Sequence, residues 1–218
     1  MAVSGSFSRC VVVVGLITLS LCLPHGVVSA DDEPPLSLNL RVKSTQPLSP
    51  GSLAALIAET NTIWNGHIRL RWRTDGGPDD TQMLRVFLLA RAVPPAGDDA
   101  PLALGELVRA EGAAPFAIAS VTGARRIVES SAGLDALEPP VLRDHRLGVV
   151  LGRAVAHEIG HYLLQTGTHA SQGLMRARID AREFADFRNA SFRLDAAAQA
   201  HLARLAASGT SEAFSYAR

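Results

Sequence analysis

The chain has 218 residues, with 21 Lys and Arg against 21 Asp and Glu, so its formal net charge is zero. A chain this balanced offers no bulk attraction for nucleic acid or an anionic membrane, and Lys43 is its single lysine. The arginines look scattered along the sequence and read as ordinary solvated surface. The two cysteines are Cys10 and Cys22.

Residues 1–30 have the form of a secretory signal. Arg9 and the terminal amine give a positive start, and Cys10 to Leu23 is an apolar run short for a membrane span. Val28-Ser29-Ala30 supplies small residues for cleavage, and acidic Asp31-Asp32-Glu33 follows. The mature chain is therefore expected to begin near Asp31 and to be exported to a periplasm or the medium. Stable membrane association after cleavage is not expected. Both cysteines leave with the signal, which excludes disulfides and thiolate metal ligands. Residues 31–218 are enough for one domain with a real core.

Leu36 to Val42 alternates apolar and polar residues, which predicts a half-buried strand. Ser52 to Trp64 carries Leu53, Leu56, Ile57, Thr60 and Trp64 at helical spacing, with Ser52 or Ser49 as cap and Asn65-Gly66 as stop. His67 to Arg73 and Met83 to Ala90 read as strands, and Gly/Pro/Asp-rich loops follow each. Residues 102–114 are ambiguous. Pro115 to Val121 predicts a strand, and Arg125 to Glu129 a short one. Gly133 to Pro140 is a loop. A long helix follows with Asp144 as its expected N-cap, and Asp195 to Ala206 predicts a last helix. The order is that of an α+β fold, a small twisted parallel or mixed sheet packed on helices.

The long helix carries the chemistry. Ala154 to Arg176 contains His157, Glu158 and His161 as H-E-x-x-H, then His169, then Gly173-Leu174-Met175. Histidines four apart lie one turn apart on one helix face, so both imidazoles can reach one ion. Zinc prefers four ligands, and a catalytic site leaves one of them to water. A glutamate beside the first histidine can take the proton of that water. Two ligands and a base are thus supplied, and a third protein ligand is needed. His169 is the nearest candidate. Glu183 is the alternative, with Asp186 near enough to support it. His67, His145 and His201 are isolated in sequence and read as structural or surface residues.

These residues resemble the metzincin clan of zinc endopeptidases, its matrixin-like and archaemetzincin-like members in particular. Their signature is H-E-x-x-H-x-x-G-x-x-H followed by a methionine turn. His157, Glu158 and His161 match directly, and His169 to Met175 resembles the run from third histidine to methionine. The spacing departs from the signature. Leu164 stands at the glycine position and Gly167 at the histidine position, so the connection is two residues longer. Gly167 is expected to make the turn that the family glycine makes.

The resemblance implies a metzincin-like fold with an active-site helix and a C-terminal helix. It implies a zinc cofactor on His157, His161 and His169, an apolar floor from Met175, and Glu158 as general base. It implies a monomeric endopeptidase with peptide or protein substrates and no nucleic acid partner. Such enzymes take substrate along a sheet edge, and Pro115 to Val121 is the expected edge strand. Two other zinc readings remain: a catalytically silent zinc-binding scaffold, and a gluzincin-type peptidase using Glu183. A three-histidine ribonuclease is disfavoured, because that family is cytoplasmic and lacks the motif glutamate.

Overall fold

The computed structural model describes residues 36–74, 83–91, 103–131 and 138–208. The expected signal at 1–30, the loop at Pro94–Pro101 and most of the loops at Thr74–Asp80 and Gly133–Pro140 lie outside them.

The fold is α+β. Among the described residues, β1 (Ser37–Ser44), β2 (Arg69–Arg73), β3 (Met83–Leu89), β4 (Gly105–Val108) and β5 (Phe116–Ser120) form one sheet in the order β2-β1-β3-β5-β4. The first four in that order run parallel, and β4 pairs antiparallel with β5. The helices are α1 (Pro50–Trp64), α2 (Val121–Ser131), α3 (Pro140–Leu163), α4 (Ala181–Ala185) and α5 (Ala196–Ala207).

Register decides the two faces of the sheet. Leu40 pairs with Leu84, Val42 with Val86, Val86 with Ala117, and Leu88 with Ala119. All of these are buried, and they form the core with Leu56, Trp64, Val150, Leu151, Val155 and Ile159 of α1 and α3. The opposite face corrects one reading. Five of the arginines are gathered and not scattered: Asn39 pairs with Arg71, Ser37 with Arg69, and Arg41 with both Arg73 and Arg85. The period of two thus sets Arg41, Lys43, Arg69, Arg71, Arg73 and Arg85 on one side, and Arg41 among them is buried.

Helix α1 starts where Ser49 accepts a hydrogen bond from the Ser52 amide at 3.0 Å. Its partner α3 crosses very close. A Cβ on Gly148 would lie 2.3 Å from the Ser52 carbonyl oxygen, and one on Gly152 would lie 2.8 Å from that of Leu56. Backbone packs on backbone here, so the two glycines set the depth at which α3 lies.

Three expectations need correction. Asp144 is not the cap of α3. The helix begins at Pro140 with Pro139 in the cap position, because a proline in the first turn sacrifices no hydrogen bond. Asp144 lies one turn inside, where its carbonyl accepts from the Ser52 hydroxyl at 2.9 Å. Arg125–Glu129 belongs to α2 and not to a strand. Val121, Ala124 and Val128 recur at helical spacing and are buried, and the Ser120 hydroxyl accepts from the Gly123 amide at 2.9 Å. Finally, the strand at Pro115–Val121 is internal. The margin on that side is β4, which arises from the stretch left ambiguous.

Candidate metal centre

The last two turns of α3 carry His157, Glu158 and His161, and the chain then bends back to bring His169 beside them. One ligand atom from each histidine lies within 4.8 Å of the others. The ring centroids are 4.7 Å (His157–His161), 5.3 Å (His157–His169) and 4.9 Å (His161–His169) apart. His161 is buried and His169 is exposed, so the cluster opens to solvent on the His169 side. His67, His145 and His201 are not members of it.

The tautomers follow from the partners. His157 Nδ1 lies 2.8 Å from the Leu174 carbonyl, and His161 Nδ1 lies 2.8 Å from that of Thr166. A carbonyl only accepts, so each Nδ1 carries the proton and donates it. Both Nε2 atoms then present lone pairs, and these face each other at 3.0 Å. Two lone pairs at that distance repel unless a positive charge lies between them. Zinc–nitrogen bonds of 2.0–2.1 Å at a tetrahedral angle place two nitrogens about 3.3 Å apart. The residues present therefore fit a small divalent cation.

Electrostatics point the same way. Burial lowers the His157 pKa to about 4, and the neighbouring His161 and His169 add to the effect against the hydrogen bond to Leu174. Burial also lowers that of His161, with His169 and Arg109 adding positive charge. Both imidazoles are thus neutral at pH 7, the state in which they bind metal. Glu158 is buried, and that burial pushes its pKa up to about 8; Glu106 adds to the rise, while a hydrogen bond from the Leu107 amide opposes it.

The return of the chain is built from single polar ties. Helix α3 ends at Leu163, and Gln165 takes the left-handed conformation at φ 50°. This corrects the role expected of Gly167, whose φ is not positive and whose added Cβ would touch nothing. The glycine that matters is Gly173. It has φ 75°, and a Cβ there would stand 2.5 Å from the Arg193 carbonyl oxygen, which also accepts from the Leu174 amide at 2.8 Å. Met175 is buried under α3, and a Cβ on Gly160 would lie 2.3 Å from its sulfur. The thioether therefore floors the turn that bears the two helical histidines.

Glu183 stands apart from the cluster. Its carboxylate is paired with Arg176 in two hydrogen bonds and accepts from Ser191 at 3.1 Å, and the Arg176 guanidinium holds its pKa below the ordinary value. Asp186 accepts from the Arg188 amide at 3.0 Å. Neither belongs to the three-histidine group.

Two arginines escaped the sequence reading. Arg153 lies one turn before His157, with its side chain fully buried. It donates to Glu59 at 2.7 Å and to the carbonyls of Phe184 at 2.8 Å and Asn189 at 3.1 Å. It also lies over the Phe192 ring at 4.1 Å. Arg109, just after β4, donates to the His161 carbonyl at 2.7 Å and ties the end of α3 to the sheet margin.

No protein-family model matches the chain, and no curated protein matches it. Among solved structures, the chain is similar to an archaemetzincin from Methanopyrus kandleri, with a TM-score of 0.46 and 14% identity, over 82% of this chain and 98% of that one.

Proposed function

We propose that the protein is a zinc-dependent endopeptidase, exported through residues 1–30 and acting as a monomer on peptide or protein substrates. The observation that carries this reading is the pair of bare Nε2 atoms at 3.0 Å, with His169 completing the triangle and Glu158 beside it. His157, His161 and His169 would hold the ion. When bound, zinc supplies a Lewis acid for a peptide carbonyl and for water.

The chain's own residues account for the rest. Leu174 and Thr166 fix the two helical imidazoles through their Nδ1 protons. Glu158 takes a proton from the attacking water at its carboxylate and returns it to the departing amine nitrogen. A cation held by the neutral imidazoles would favour the ionised carboxylate and pull its pKa back down. No helix among the described residues is long and apolar enough to cross a membrane.

The test is hydrolysis of casein by the zinc-loaded protein, with and without a chelator, beside Glu158→Gln. The expected result is chelator-sensitive cleavage, lowered about 10²–10⁴-fold in Glu158→Gln with zinc content unchanged. Zinc bound with no cleavage by the parent chain rejects the peptidase and leaves the silent scaffold.

A further inference from the structure

The register of β4 decides what each of its residues presents. The Ser120 amide donates to the Leu104 carbonyl at 2.8 Å, and Gly105 stands opposite Ala119. In an antiparallel ladder, successive residues turn their backbone groups alternately to the partner strand and away from it. Leu104, Glu106 and Val108 therefore turn theirs toward β5, and Gly105 and Leu107 turn theirs to the free edge. By the same period, Gly105 and Leu107 share the helix-facing side with Ala119 and Ala117, both fully buried.

Glu158 meets the strand at these two residues. A Cβ on Gly105 would lie 2.6 Å from Glu158 Oε1, 2.9 Å from its Cγ and 3.1 Å from its Cδ. The outward amide of Leu107 is directed at the Glu158 carboxylate and opposes the rise in its pKa. The φ of Gly105 is not positive, so no turn requires the glycine. What it contributes is the missing side chain.

We propose that β4 is the positioning element of the catalytic carboxylate: Gly105 leaves the space in which the Glu158 side chain lies, and the Leu107 amide fixes the carboxylate there. This deepens the reading of Glu158 as general base and rests on it. Gly105 and Leu107 act through Glu158 and are positioning residues. Any side chain at 105 displaces the carboxylate, and a misplacement of about 1 Å costs on the order of 10²-fold in rate. Leu107→Pro removes the donor without removing a rung of the ladder, because that amide points outward, where an edge strand tolerates proline.

The experiment is a double-mutant cycle read in two ways. Gly105→Ala, Glu158→Ala and the double variant are unfolded thermally without metal. Gly105→Ala should lower Tm while Glu158 is present and lose that effect once Glu158 is alanine. In the zinc-loaded chains, Gly105→Ala should keep its zinc and lose about 10²-fold in kcat on casein. Its KM should move less than about threefold. Leu107→Pro should lower kcat in the same direction.

Equal Tm losses in both backgrounds overturn the proposal, as does unchanged kcat in both Gly105→Ala and Leu107→Pro. A zinc-loaded parent that cleaves nothing rejects the peptidase reading separately. The metal-free cycle then still decides whether β4 holds Glu158: coupling sustains the contact and additivity overturns it.

Discussion

The two sides of the metal cluster are built by different physics. His157 and His161 stand on α3, which is buried from Leu147 to Leu163 except at half-buried His157 and packed backbone to backbone on α1. His169 stands on a segment with little regular structure. That segment is held by the Leu174 carbonyl on His157, by the Arg193 carbonyl on Leu174, and by Arg153 on the carbonyls of Phe184 and Asn189. Apolar burial is non-directional and spread over many contacts, so no single change abolishes it. A polar tie is directional, and its loss leaves a buried group unpaired. The helix thus fixes two ligands by bulk, and the segment fixes the third by a few bonds.

The sharpest way to break this contrast is Arg153→Met. It leaves Glu59 and the carbonyls of Glu183, Phe184 and Asn189 without their donor, and should cost about 3–5 kcal/mol in unfolding free energy. Because the ties it removes belong to the segment, zinc affinity should fall as well, measurable by competition with a chelator. Gly148→Ala attacks the other side. A Cβ 2.3 Å from the Ser52 carbonyl oxygen forces α1 and α3 apart, and should cost about 1–3 kcal/mol in denaturant unfolding. Zinc per folded chain should stay the same.

Within the segment, two glycines make a finer comparison. Gly173→Ala should cost about 1–3 kcal/mol, because its φ is 75° and the Arg193 carbonyl blocks the new methyl. Gly167→Ala should fall within about 0.5 kcal/mol of the parent, since nothing lies in its way. Equal costs at 167 and 173 would return the turn to Gly167.

The buried ionisable groups of the cluster make the metal-free chain sensitive to pH. His157 has its pKa depressed from 6.5 to about 4, so between those values the unfolded state binds the proton that the folded state refuses. Stability should fall as pH drops through that window. Glu158 has its pKa raised from 4.5 to about 8, so the folded state holds the proton longer, and stability should fall as pH rises from 4.5 through 8. Tm against pH should show both limbs, and Glu158→Gln should flatten the alkaline one.

The same contrast explains what the sequence made legible. Leu53, Leu56, Thr60 and Trp64 on α1 carry a helical period, and the unbroken apolar run from Leu147 to Leu151 marks α3 as a buried helix, so both could be read directly. The histidine spacing follows from helix geometry alone. β4 was missed because Gly-Glu-Leu-Val is too short to show a period and opens with a residue of no strand preference. α2 was missed because Ile127-Val128, taken alone, is a β-branched pair of the kind strands favour. Apart from the Arg153–Glu59 ion pair and the Phe192 ring, the ties of Arg153 and Arg109 end on carbonyl oxygens, which every residue has, so no residue type marks them. Gln165 in place of Gly167 shows the same limit: sequence marks where a left-handed residue is cheap, and the segment needed one two positions earlier.

The central claim is that three imidazoles from these two regions share one ion. Zinc binding by equilibrium dialysis to the parent, His169→Ala and Glu183→Gln tests it most directly. One zinc per chain is predicted for the parent and for Glu183→Gln, with affinity lowered at least about tenfold in His169→Ala. Parent-like zinc binding in His169→Ala, or its loss in Glu183→Gln, would contradict the claim.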